Sequence, residues 1–285
     1  GKITESLIGA RAKTLFHLVI FFLIALAMGV FVHIIAVLLT ADFYPEAAIP
    51  SGGLILIAGV MGTAIHRRGH GLKQLTAVGF LFGLMLLALG IQYPVLGPSL
   101  SQWKWLLLGY AYAASVLPVW LLLQPRDYLN SLLLYLGVAA MYIGFIATNP
   151  SFAAPALDLN PDGAPPIFPF VFVVIACGAA SGFHALVSSG TSAKQLANEN
   201  DARFVGYGAM LGESVLGLMA VLACTAGFIS REAWLERYVS WQVADGLGNN
   251  IAAFVRGAAY FLETLGLPET VGTTFIAVIV VSFAL

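Results

Sequence analysis

IFPFVFVVIACGAASGFHALVSSGTSAKQLANENDARFVGYGAMLGES, residues 167–214, decides how this chain is to be read. Two runs apolar enough to lie in a bilayer flank a polar turn, and they carry a histidine, a glutamate, a Gly-rich break and a row of hydroxyls. An ionisable side chain at the centre of a membrane helix costs roughly 2.5 to 3.5 kcal/mol on insertion scales, so such residues are rare and face a protein interior or a water-filled path. His184 and Glu213 therefore mark where function is expected.

The rest of the chain supplies the matching solvent. Hydrophobic residues make up 60% of it and charged residues 9%, with a mean hydropathy of +0.91. A soluble domain carries about 25% charged residues, so this chain has too little charge to coat a globule. An all-α integral membrane protein is predicted, because helices satisfy their own backbone polar groups in lipid. The net charge of -1 leaves no basic stripe for nucleic acid. Cys177 and Cys224 form no CxxC pair, and no phosphate loop, nucleophile elbow or dinucleotide fingerprint occurs. No metal, cofactor or enzymatic activity is expected. The chain opens at Gly1 with GKITES and stops at Leu285 inside an apolar run, which reads as an internal piece of a longer protein, truncated at both ends.

A bilayer core takes about 20 apolar residues per helix. Eight runs qualify, at about 14–40, 50–66, 73–92, 103–124, 128–148, 167–189, 204–228 and 270–285, in one transmembrane domain. Alternate loops then sort the basic residues. Lys2, Arg11, Lys13, Arg67, Arg68, Lys73, Arg126, Lys194 and Arg203 fall on one side, and Lys104, Arg231, Arg237 and Arg256 on the other. Cytoplasmic loops carry the Lys and Arg excess, so residues 1–13 and the loops at Arg67, Arg126 and Lys194 are predicted to be cytoplasmic. On the outer side, residues 149–166 read either as an ordered cap or gate or as a solvated loop. Residues 230–266 place Trp234, Leu235, Tyr238, Ile251, Phe254 and Phe261 at near-helical spacing, which fits interfacial amphipathic helices or packing against the bundle.

Several groups can carry chemistry. Cys177, Ser181, His184 and Ser188 follow one another at offsets of four, three and four, which puts a polar stripe down one face of an apolar helix. Gly178 and Gly182 form a GxxxG pair for close packing. Ser188, Ser189, Gly190 and Thr191 crowd the cytoplasmic end, where hydroxyls can satisfy backbone groups freed by a break or ligate an ion or substrate. His184 either lines a pathway or is a buried histidine bonded to a neighbour. Glu213 shares its face with Gly206, Ala209, Gly217 and Ala220, so it is expected to point at a helix contact, either handling a proton or locking two helices. Pro118 removes a backbone donor and clashes with the carbonyl of Ala114, predicting a kink or unwinding beside Ser115. Arg126 and Asp127 fit a cytoplasmic cap, a gate ion pair or a local turn. His33 fits a packed histidine better than a proton carrier, and the His66 to His70 cluster follows from the positive-inside rule alone.

The segments PFVFVVIACGAASGFHALVSSGTSAKQL, ARFVGYGAMLGES and ASVLPVWLLLQPRDYL resemble the carbon starvation protein A family of bacterial inner-membrane transporters linked to peptide and pyruvate uptake. The resemblance implies a bundle of two inverted five-helix repeats like that of amino acid and polyamine transporters, with the Pro118 span as the broken sixth core helix and the His184 span as the eighth. It also implies secondary transport of a peptide or a small carboxylate such as pyruvate, coupled to protons, across the bacterial cytoplasmic membrane. Ser115, Pro118, Ser181, His184, Ser188, Ser189 and Thr191 would line the substrate or ion path, and Glu213 or His184 would couple the proton. A membrane nutrient sensor or channel without coupled transport is the alternative.

Overall fold

The computed structural model describes residues 2–68, 71–159, 163–180, 185, 187–244 and 246–285. Among them the chain is helical, with no strand. A short α1 (Lys2–Leu7) leads into α2 (Ala10–Leu38), and a 3-10 turn at Pro45–Ala47 opens α3 (Ala48–Arg68). Then come α4 (Leu72–Gln92), α5 (Leu100–Val116), α6 (Leu123–Thr148), α7 (Ile167–Ala180) and α8 (Asp201–Ala226). The outer region folds into α9 (Arg231–Arg237) and α10 (Leu247–Glu263), and α11 (Glu269–Ala284) follows.

Five helical runs are long and apolar enough to cross a membrane: Ala10–Leu38, Pro45–His66, Lys73–Gln92, Leu123–Thr148 and Asp201–Ala226. Of the eight expected, the other three hold shorter helices. The run 103–124 is not one helix, because α5 ends at Val116 and the next helix begins at Leu123, five residues before the expected 128. Pro118 is the reason: it lacks an N–H, and Leu117 before it is held extended at φ -73°, ψ 148°.

The core forms where α3, α6, α10, α11 and the second half of α8 meet, around Leu129, Met219, Val255, Phe261, Ile276 and Val281. Its central helix is α10. Of the two readings of residues 230–266, packing against the bundle is the one the structure takes for α10: Ala252, Val255, Ala258, Ala259, Phe261 and Leu262 are all buried. Small residues let this helix in. A Cβ at Gly257 would stand 2.0 Å from the Ala223 carbonyl oxygen of α8, and one at Gly144 in α6 would stand 1.9 Å from that of Phe261. Backbone-to-backbone approach of this kind is what small residues provide between membrane helices. Polar groups add directional ties: Asn130 donates to the Ser282 carbonyl at 2.9 Å, and Thr148 to Thr264 at 3.0 Å.

The loop 149–166 is ordered where it meets α8. The N–H groups of Ala153 and Ala154 both donate to the Thr225 carbonyl, at 2.9 and 3.2 Å, and Ala153 is buried. By contrast, α7, the first half of α8 and α2 up to Phe31 have broadly exposed apolar surfaces.

Candidate functional site

The site is built around the gap between α5 and α6. A capping box starts α5: Ser99 accepts from the Gln102 N–H while the Gln102 side chain accepts from the Ser99 N–H. The helix runs for 17 residues, to Val116, where Pro118 stops it. Leu121 then donates to the Pro118 carbonyl at 2.9 Å and Gln124 to that of Val119 at 3.0 Å, closing turns before α6 winds up. Residues Leu117 to Leu122 thus lie outside both helices, next to Ser115, whose hydroxyl donates to the Tyr112 carbonyl at 2.7 Å.

This unwound segment is pressed against α3. A Cβ at Gly62 would stand 2.2 Å from the Leu121 carbonyl oxygen and 2.8 Å from that of Trp120, so only glycine admits the contact. The His66 ring stacks on Trp120 with centroids 4.1 Å apart and planes 19° from parallel. Gly62, His66, Trp120, Gln124, Pro125 and Tyr128 line a cavity of about 290 Å³ at the break. His66, expected only as a cytoplasmic charge, is therefore part of the wall of the site. Its spacing of four from Gly62 on α3 was the available sequence signal.

Arg126 sits in the first turn of α6, not in a loop, and it is the one buried charged residue among the described residues. One guanidinium nitrogen donates to the Tyr110 hydroxyl and another to Asp127 Oδ1 at 3.2 Å. The Nε–H is buried with no protein acceptor among the described residues. Asp127 is 65% exposed, so this ion pair alone does not hold the buried guanidinium. The unwinding at Pro118 is what puts Arg126 here, because it lets α6 start early and carries the side chain back towards α5.

The hydroxyl cluster forms a second irregularity. Ser188 to Ser192 wind as a π-helical turn, a feature often found at functional sites. Ser188 and Ser189 both donate to the Ala185 carbonyl, at 3.1 and 2.7 Å, and Thr191 is exposed in the same turn. Gln195, just beyond, lies 3.5 Å from Gln124, which ties this segment to the α5–α6 break. Ser181 and His184 lie outside the described residues.

Glu213 lies midway along α8. It is exposed, as is every residue from Asp201 to Val215, and a Cβ at Gly206 or Gly217 would meet nothing within 4 Å. At those two glycines the face is open among the described residues. Packing explains this: α8 touches the bundle through Met219, Leu222, Ala223 and Ala226, where α10 crosses it. Two residues past Glu213, the Tyr142 hydroxyl of α6 donates to the Val215 carbonyl at 2.8 Å.

A broken helix beside a buried arginine, in an apolar helical chain, points to solute handling, and comparison with known sequences supplies the family. The profile of carbon starvation protein CstA matches residues 1–275. The chain belongs to the CstA family. Among similar proteins, the pyruvate/proton symporter BtsT of Escherichia coli K12 is 45% identical over 159 residues, covering 50% of this chain and 22% of that protein. The peptide transporter CstA of the same organism is 50% identical over 127 residues, 43% of this chain and 18% of its own length. The peptide transporter CstA of Bacillus subtilis is 41% identical over 184 residues, 60% of this chain and 31% of its own. The CstA-family chain thus aligns with well under half of each of these relatives. No solved structure matches it.

Proposed function

We propose that this CstA-family chain forms part of a secondary active transporter that imports a short peptide or a small carboxylate such as pyruvate, in symport with protons, across the bacterial cytoplasmic membrane. The observation that carries this reading is the unwound Leu117 to Leu122 segment, walled by Gly62, His66 and Trp120 and followed at once by buried Arg126. A helix interruption frees backbone N–H and C=O groups, which transporters of this general build use to hold solute. A guanidinium with an uncommitted N–H supplies the matching charge for a carboxylate, which peptides and pyruvate both carry.

In this reading Ser115, Pro118, Ser181, His184, Ser188, Ser189 and Thr191 line the path, and the Gln124 to Gln195 contact couples the break to the π-helical turn. Glu213 or His184 carries the proton by alternating its access between the two sides. The bundle belongs to the inverted-repeat class, with residues 1–13 in the cytoplasm. The names of the relatives support both substrates and the proton.

The test is uptake into proteoliposomes holding the full-length protein, with proton and sodium gradients imposed separately. Concentrative uptake under the proton gradient, lost in His184→Ala or Glu213→Gln, is expected. Intact coupled uptake in both variants would remove these residues from the coupling role, and a lack of any gradient-driven uptake would overturn the transporter reading itself.

A further inference from the structure

The opposite end of the bundle from Arg126 and Lys194 holds a second cavity, of about 570 Å³, built by α9, α10 and the start of α11. Its wall is strongly charged, with Glu236, Arg237, Arg256, Glu263 and Glu269 all facing it beside the neutral Tyr260. The charges are not scattered. Arg256, Tyr260 and Glu263 follow each other on one face of α10, at offsets of four and three.

One end holds both arginines, with Glu236 next to Arg237 in sequence. Arg237 and Arg256 both lie near enough to the buried Tyr44 phenol to oppose the rise that burial gives its pKa, which still stands at about 12. Arg237 is fixed there by donating to the Asn249 carbonyl at 2.7 Å, while Arg256 is exposed to the cavity. The other end is anionic: Glu263 and Glu269 are close enough that the charge of Glu269, after burial itself, raises the Glu263 pKa. Among the described residues no ion pair joins the two ends. Oppositely charged groups that face one cavity without neutralising each other leave room for a ligand that is itself charge-separated.

The spacing says what length of ligand fits. Seven residues of helix separate Arg256 from Glu263, an axial distance of about 10 Å. An extended chain advances 3.3 to 3.6 Å per residue, so about three residues span that distance. The volume also lies within the range of small-ligand pockets, roughly 300 to 1,000 Å³.

We infer that this cavity is a distinct outer capture site for a free, zwitterionic peptide of about three residues, its carboxylate on Arg237 and Arg256 and its ammonium between Glu263 and Glu269. The placement on the outer face rests on the orientation given under the proposed function. A lone small carboxylate such as pyruvate satisfies only the arginine end. Each terminal contact is a charge-assisted hydrogen bond, and loss of one weakens binding by roughly ten- to a hundred-fold.

The experiment is calorimetric titration of trialanine, N-acetyl-trialanine, trialanine amide and pyruvate into the purified full-length protein in detergent. The wild type, Arg256→Gln and Glu263→Gln are compared, with Arg256→Lys and Glu263→Asp as conservative partners. Trialanine is expected to bind at least ten-fold more tightly than either blocked form and than pyruvate. Arg256→Gln should remove the preference for the free carboxylate, and Glu263→Gln the preference for the free amine, with partial recovery in the conservative pair. Equal binding of blocked and free peptides, or unchanged affinities in both variants, would overturn the inference. Gradient-driven uptake with this result would leave the transporter reading standing, while end-specific binding without uptake would sink that reading and keep the outer site.

Discussion

Gly62→Ala tests whether the α5–α6 break is a built feature or a loose end. The added methyl would stand 2.2 Å from the Leu121 carbonyl oxygen and 2.8 Å from that of Trp120, both backbone atoms. Comfortable non-bonded contact needs about 3.5 Å, so the unwound segment must retreat by about 1 Å or α3 must tilt. Overpacking of this kind costs typically 1 to 3 kcal/mol. Against it stands the gain of about 0.5 to 1 kcal/mol from removing a glycine inside a helix. Gly59, one turn earlier on α3, isolates the second term, because a Cβ there meets nothing within 4 Å. Gly59→Ala should therefore be neutral to stabilising by about 0.5 to 1 kcal/mol, and Gly62→Ala less stable than Gly59→Ala by about 1 to 3 kcal/mol. Unfolding of the full-length protein by SDS in mixed micelles, followed by tryptophan fluorescence, measures the difference, and proteoliposome uptake measures its effect on transport. Uptake should fall in Gly62→Ala and not in Gly59→Ala. Equal stability and equal uptake in the two variants would refute the claim that the break is seated on Gly62.

The α10 clamp makes a second test. Gly144→Ala and Gly257→Ala each drive a methyl to within 2.0 Å of a backbone oxygen, so both should be destabilised by about 1 to 3 kcal/mol or more, read as lost protein in the membrane fraction or a lower SDS midpoint. Tyr110→Phe leaves the buried Arg126 guanidinium without its hydroxyl acceptor and should cost about 1 to 3 kcal/mol in the same titration, while Asp127→Asn, which removes a carboxylate that is itself 65% exposed, should cost about 0 to 1 kcal/mol. Glu263 supplies a pH test. Burial first, and Glu269 second, hold its carboxyl above the ordinary carboxylate range. A raised folded pKa stabilises fully below the unfolded value, about 4.3, and that stabilisation is lost as pH climbs through the folded value. Relative to Glu263→Gln, the wild type should therefore lose thermal stability as pH rises above about 4. Parallel curves, or a wild type that gains on the variant, would contradict that placement of Glu263.

Much of this was legible in advance. The membrane setting follows from 9% charge, and the π-helical turn fell where Ser188, Ser189, Gly190 and Thr191 crowd a helix end. Pro118 announced the break because a missing N–H acts locally, whatever surrounds it. Its reach was not local. That α6 restarts at Leu123 and buries Arg126 depends on Tyr110, sixteen residues back, which no periodicity connects. His66 read as ordinary cytoplasmic charge, since only its stacking on Trp120 distinguishes it. The near-helical spacing within residues 230–266 left interfacial helices and packing against the bundle both open, and it is the alanines and glycine of 247–263 that let this stretch become the central helix of the core.

By itself, the sequence determined the solvent, the helical class, the family and the position of the helix break, because these depend on composition and on backbone chemistry within a few residues. Only the tertiary structure decided what faces that break, that α10 meets α8 closely at Ala223, and that two arginines and three glutamates end up lining one cavity. Those outcomes rest on contacts between residues far apart in the chain, set by which small side chains let two backbones meet.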